Sequence, residues 1–102
     1  MELLPKEIAS KLPELYSQEG FDDPICSLKY FTPDSAWTWF VIEGEEQEDG
    51  DFLFFGKVVS QLCPEGELGY FTLSQLRKIR GPLGLPIERD LHFEAKPLSR
   101  CK

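Results

Sequence analysis

Two neighbouring stretches, AWTWFVIE (36–43) and DFLFFGKVV (51–59), are apolar on both sides of a two-residue alternation. In the first, Trp37, Trp39 and Val41 oppose Phe40 and Ile42; in the second, Phe52, Phe54 and Val58 oppose Leu53, Phe55 and Val59. Strands of this kind need cover on both faces, which places them in the middle of a sheet with packing on either side. ICSLKYF (25–31) and ELGYFT (67–72) are also rich in aromatic and β-branched residues, and Pro, Gly, Asp and Ser clusters separate all four. The pattern predicts four antiparallel strands. A fifth is expected over IERDLHFEA (87–95), where Ile87, Arg89, Leu91, Phe93 and Ala95 alternate with Glu88, Asp90, His92 and Glu94.

Two helices complete the expected architecture. Leu4, Ile8, Leu12 and Leu15 recur at helical spacing, so a short amphipathic helix is expected near residues 5 to 12, with Pro5 in its first turn and Pro13 ending it. In TLSQLRKIRG, Thr72 and Gln75 have the spacing of a capping box, Leu73, Leu76 and Ile79 share a face, and Gly81 and Pro82 stop the helix. Pro82 and Pro86 then stiffen the passage into the last strand. The expected fold is α+β, a single domain over residues 1–102. It has an antiparallel sheet of about five strands, an N-terminal helix and one short helix; a partly closed barrel is the alternative.

Charge is unevenly placed. The chain carries a formal net charge of −7, yet EGEEQEDGD (43–51) alone holds six acids, Glu43, Glu45, Glu46, Glu48, Asp49 and Asp51, and no base. Lying between two central strands, this segment is expected to be an extended, solvated and mobile loop. It would steer a partner electrostatically, resembling a short stretch of nucleic acid backbone to a protein that binds one. From Arg77 onward bases outnumber acids, and Arg77, Arg80 and Arg89 define a basic edge suited to phosphate or to an acidic protein surface. Arg89 falls on the apolar side of its alternation, which predicts a carboxylate partner inside the domain.

Catalytic signals are sparse. Asp90, His92 and Glu94 would share one face of a strand, an arrangement able to ligate a metal or orient a histidine base, but equally the polar face of an edge strand. The chain has one histidine, no nucleophile elbow and no phosphate loop, so no catalytic residue, cofactor or metal is expected. Trp37 and Trp39 are expected in the core. Cys26, Cys63 and Cys101 are odd in number and widely spaced, which fits a reducing cytoplasm better than a disulfide framework or zinc site. The N-terminus has neither the charge nor the apolar run of a secretory signal, and no segment suggests a membrane partner.

The segments LLPKEI, FTPDSAWTWFVIEGEEQEDGDFLFFG, EGELGYFTLSQL and RGPLGLPIERDLHF resemble the small bacterial proteins of domain-of-unknown-function family twenty-nine fifty-eight, almost from end to end. The resemblance implies an association with plasmids, integrative elements and phages, beside DNA-handling and defence genes. It brings no activity and no catalytic residue. The expected function is that of a non-enzymatic accessory protein of a mobile element. It would bind a protein partner, a nucleic-acid-handling or defence protein occluded through the acidic loop. The alternatives are a nucleic-acid-associated module using the arginine edge and a small enzyme centred on His92.

Overall fold

The computed structural model describes residues 1–102. In chain order its elements are α1 (Lys6–Ala9), β1 (Ile25–Cys26), β2 (Leu28–Phe31), β3 (Thr38–Glu46), β4 (Phe52–Val59), β5 (Glu67–Thr72), α2 (Leu73–Lys78), β6 (Glu88–Arg89) and β7 (Lys96–Pro97). Five strands form one antiparallel sheet in the order β5-β4-β3-β2-β6, open rather than closed into a barrel, while β1 and β7 pair separately. The α+β class, the five strands and the central place of β3 and β4 are as the sequence predicts.

Both faces of the central strands are covered. On one, Tyr30, Trp39, Val41, Phe54 and Phe71 pack with Leu3, Leu4 and Leu12 from the N-terminal segment, and with Leu73 and Leu76 of α2. On the other, Phe40 and Ile42 pack with Cys26 and Cys101, joined by Phe55, Val59, Phe93 and Leu98. The second cover is a strap formed by the C-terminal segment. It is held by the β1–β7 pairing, by two hydrogen bonds from Ser99 to the Asp23 carboxylate (2.9 and 2.6 Å), and by Lys57 Nζ donating to the Cys101 carbonyl. No helix is long and apolar enough to cross a membrane.

Local structure follows the sequence where side chains speak directly to the backbone. The Thr72 hydroxyl accepts from Gln75 N at 3.2 Å and the Gln75 amide oxygen accepts from Thr72 N at 2.9 Å, the reciprocal bonds of a capping box. The first helix is shorter than its periodicity suggests. Pro5 is its N-cap, and beyond Ser10 the chain turns so that the Pro13 carbonyl accepts from Gly44 N on β3 at 3.0 Å. ICSLKYF splits at Ser27, whose N–H donates to the Val41 carbonyl at 2.8 Å, freeing Ile25 and Cys26 to pair with β7. Trp39 is buried as expected, but Trp37 lies before β3 and is 41% exposed, stacked on Trp39 with ring centroids 5.9 Å apart.

The last strand is corrected most. Only Glu88 and Arg89 pair with β2; at Asp90 the carboxylate accepts from His92 N at 2.9 Å, a local turn that takes residues 91–95 out of the sheet. Before it, RGPLGLP closes into a compact loop in which Gly81 N donates to the Leu85 carbonyl and Gly84 N to Gly81 O. The loop wraps Asp34: one carboxylate oxygen accepts from Leu83 N (2.8 Å) and Leu85 N (3.4 Å), and the other is buried beside Gly81. A Cβ at Gly81 would stand 1.6 Å from that oxygen. The stretch is therefore a folded turn closed over an internal carboxylate, rather than an arm presenting its arginines.

Candidate functional site: the acidic hairpin and its neighbouring face

The six acids between β3 and β4 do not form one loop. Strand β3 continues to Glu46, and a bulge between Val41 and Glu43 turns Ile42 and Glu43 to the same face, where Glu43 pairs with Phe55. Glu43 is only 4% exposed. Its two carboxylate oxygens accept from Tyr16 N (2.8 Å) and Gln18 N (2.7 Å). Gln18 itself is buried and bonds Ile25 N, Ile25 O and Ile42 O through its side chain, so Glu43 and Gln18 together fasten residues 16–25 against the bulge. Glu43 is an organiser of the fold, contrary to its expected place in a solvated loop.

The connection proper is short and closed. Gln47 N donates to Asp51 O (2.8 Å), Gly50 N donates to Gln47 O (3.0 Å), and Gly50 takes the positive φ of 87° that the turn requires. Asp51 points inward along the sheet, accepting from Ser74 Oγ (2.6 Å), Ser74 N (3.1 Å) and its neighbour Phe52 N (2.8 Å), which ties the hairpin to α2. The Ser74 hydroxyl, followed by the Phe52 N–H, holds the Asp51 carboxyl below its ordinary value of 3.8. A carboxyl depressed by folding supports stability above the unfolded value and loses that support as pH falls through the lower folded one. Ser74→Ala is accordingly expected to raise the Asp51 pKa toward 3.8, read by NMR titration, and to shrink the share of stability lost on acidification; unchanged titration of Asp51 would refute the linkage.

Glu45, Glu46, Glu48 and Asp49 remain exposed. The structure contains two ion pairs, Lys29–Asp90 and Arg77–Glu2, and neither involves the hairpin. Four carboxylates thus stand at one end of the sheet without a cationic partner, on a hydrogen-bonded hairpin instead of the extended loop expected.

The arginine edge is divided. Arg80 Nη1 donates to the carbonyls of Arg77 (2.8 Å) and Ile79 (2.9 Å), capping the end of its own helix. Arg77 reaches Glu2 at 4.0 Å, an exposed pair of small energetic weight. Arg89 is half-buried on β6, opposite Tyr30, and its Nε donates to the main-chain carbonyl of Glu2 at 3.4 Å. The carboxylate partner expected for Arg89 is absent, because the N-terminal segment supplies a peptide oxygen at that position instead.

Nor does the structure align Asp90, His92 and Glu94. His92 and Glu94 are exposed in the turn and the segment after it, while Asp90 is engaged with Lys29 at 3.6 Å and with His92 N. No three His, Cys, Asp or Glu side chains are grouped so as to hold a metal ion. A family model described as a protein of unknown function, DUF2958, matches residues 3–101. The chain belongs to that family. No curated protein and no solved structure matches it.

In this DUF2958 chain the face beside the hairpin carries a feature that strand alternation alone does not reveal. The strap covers the central strands but leaves the β4–β5 side open, so Leu68 and Tyr70 of β5 are 57% and 53% exposed. Tyr16 (61%) and Phe21 (60%), from the segment fastened by Glu43, border the same hollow of about 300 Å³ as Phe55, Leu68 and Tyr70. Tyr16 adopts a φ of 70°, a left-handed conformation costing a tyrosine roughly 1–2 kcal/mol, and the bond from its N–H to Glu43 helps hold it there. The Tyr70 phenol is pushed up chiefly by its neighbour Tyr16. In sequence, YSQEGFDDP signals only turns.

Proposed function

We propose that this chain is a non-enzymatic accessory protein of a mobile genetic element, working in a reducing cytoplasm by binding another protein. Its partner is a nucleic-acid-handling or defence protein that the acidic hairpin engages. The observation that carries this reading is the set of four exposed carboxylates without a cationic partner, Glu45, Glu46, Glu48 and Asp49, on a hairpin whose other two acids are absorbed into the fold. Charges arranged in this way add little to stability and repel one another, yet they accelerate encounter with a basic surface. The association with mobile elements that the sequence resemblance implies favours this class of partner, and the odd number and wide spacing of the three cysteines fit the compartment. Arg80 is turned back onto its own helix, which makes the arginine edge the weaker binding surface.

Replacing Glu45, Glu46, Glu48 and Asp49 by Gln or Asn is expected to leave the melting temperature nearly unchanged. Association with a partner recovered from nuclease-treated bacterial lysate should slow about ten-fold or more, and wild-type binding should weaken as salt rises. Partner capture indifferent to both the substitutions and the salt would overturn the reading.

A further inference from the structure

Strand β5 is a sheet edge whose only usual protection is the charge of Glu67 at its start. Its only strand partner is β4, and from Glu67 to Phe71 no backbone hydrogen bond is made beyond that pairing. It carries no proline, lysine or bulge, the devices that ordinarily blunt an edge, whereas the opposite edge, β6, is two residues long. Along the same strand the exposed side chains of Leu68 and Tyr70 join Tyr16 and Phe21 around the hollow, floored by Phe55. Four large apolar side chains, each more than half exposed and gathered at an unpaired edge, are the composition of a contact surface.

The charge around the hollow selects what fits it. Its exposed lining acids are Glu19 and Asp22, with Glu43 buried beneath them and already bonded, and no lysine, arginine or histidine lines it; Lys57, opposite Leu68 on the same face, is held by the Cys101 carbonyl. Cross-strand partners share a face, so the rows Glu43–Phe55–Tyr70 and Glu45–Leu53–Thr72 carry this surface toward the acidic hairpin, with Glu45 on the same side as the apolar patch. A second copy of the chain, with net charge −7 and the same acids at the same edge, would bring like charges together.

We infer that β5 and the Tyr16–Phe21–Leu68–Tyr70 patch receive an extended segment of the partner protein in which apolar residues alternate with lysine or arginine. The segment adds a strand to β5: its main chain bonds the open edge, its apolar side chains enter the hollow, and its bases meet the acids around it. This rests on the reading that the chain works by binding a protein, and it names the chemistry of what is bound. The strained Tyr16 belongs to the surface, with its ring held at the patch by the Glu43 bond to its main chain.

The test uses the full chain and a short end-blocked peptide alternating valine or phenylalanine with lysine, followed by backbone amide NMR. Expected are saturable shifts at residues 67–72, 16 and 21. Binding should fall at least about ten-fold in a Leu68→Ser, Tyr70→Ser variant and, independently, in Phe21→Ser. Loss is also expected when glutamate replaces the peptide's lysines or when alternate peptide amides are methylated. Both variants alter exposed side chains, and denaturation curves verify that each is folded. The carboxamide hairpin variant is expected to keep the shifts at β5, which separates this inference from failure of the hairpin reading. Absence of saturable binding, shifts confined to residues 45–49, or a concentration-dependent dimer abolished by the Leu68 and Tyr70 changes would each overturn it.

Discussion

Gly56→Ala is expected to lower the melting temperature by more than about 10 °C, a loss of about 3 kcal/mol or more. Gly56 lies at the centre of β4, opposite Val41, and a Cβ there would stand 2.0 Å from the Phe40 carbonyl oxygen and 3.1 Å from the Val41 Cα. These are backbone atoms of the neighbouring central strand, so no side-chain rotation relieves the overlap. The strands must part where both faces of the sheet are packed. Gly69, directly across from Gly56 on β5, is the control: a Cβ there meets nothing within 4 Å, and Gly69→Ala should change stability by less than about 1 kcal/mol. Equal melting temperatures for the two variants would refute the argument.

Glu43→Ala is expected to cost about 3 kcal/mol, because it strands two buried or half-buried N–H groups, those of Tyr16 and Gln18, each worth roughly 1–3 kcal/mol when left without an acceptor. Tyr16 should then leave its left-handed conformation, and the amides of residues 16 and 18 should exchange with solvent far faster than in the wild type. Glu43→Gln keeps the volume but turns an NH₂ toward one of the two donors, so an intermediate loss is expected. Denaturation curves and hydrogen exchange measured together decide the matter. A silent Glu43→Ala would return this residue to the solvated loop that composition suggests.

The contrast between Glu43 and Glu45 shows where sequence reading reaches its limit. Both stand in one acidic run, and nothing in spacing or composition separates them. The β-bulge inserts one residue into the alternation and turns both onto the face already occupied by Ile42; the separation comes from residues 16–18, whose N–H groups close on Glu43 while Glu45 lies exposed beyond them. A strict two-residue period has no means of representing that insertion. The same holds for Asp90, where a local bond from a carboxylate to a main-chain N–H ends a strand that polar–apolar alternation would continue through Ala95. What was legible were features whose cause is local or compositional. Thr72 and Gln75 carry their own capping geometry, and two-sided apolar strands have no stable place except the middle of a covered sheet. Of the candidate binding residues, Glu45, Glu46, Glu48 and Asp49 stayed exposed, while Glu43, Asp51 and Arg80 were claimed by contacts made only in three dimensions.

The strap and the strands it covers differ in how far apart in the chain their partners lie. Strands β3, β4 and β5 form a meander of near neighbours, but the strap joins residues around 25 to residues around 97. Closing so long a span is entropically costly, and few strand pairs secure it, which makes the strap a unit expected to open well before the meander does. Its own Cys101 and the Cys26 against which it closes are both almost fully buried, with the Cys26 thiol driven far above its ordinary range first by burial and then by the adjacent Cys101. Thiols so placed are inert until the cover lifts. Their rate of alkylation is thus a clock for the breathing of one face of the sheet, running while the β3–β5 meander stays paired.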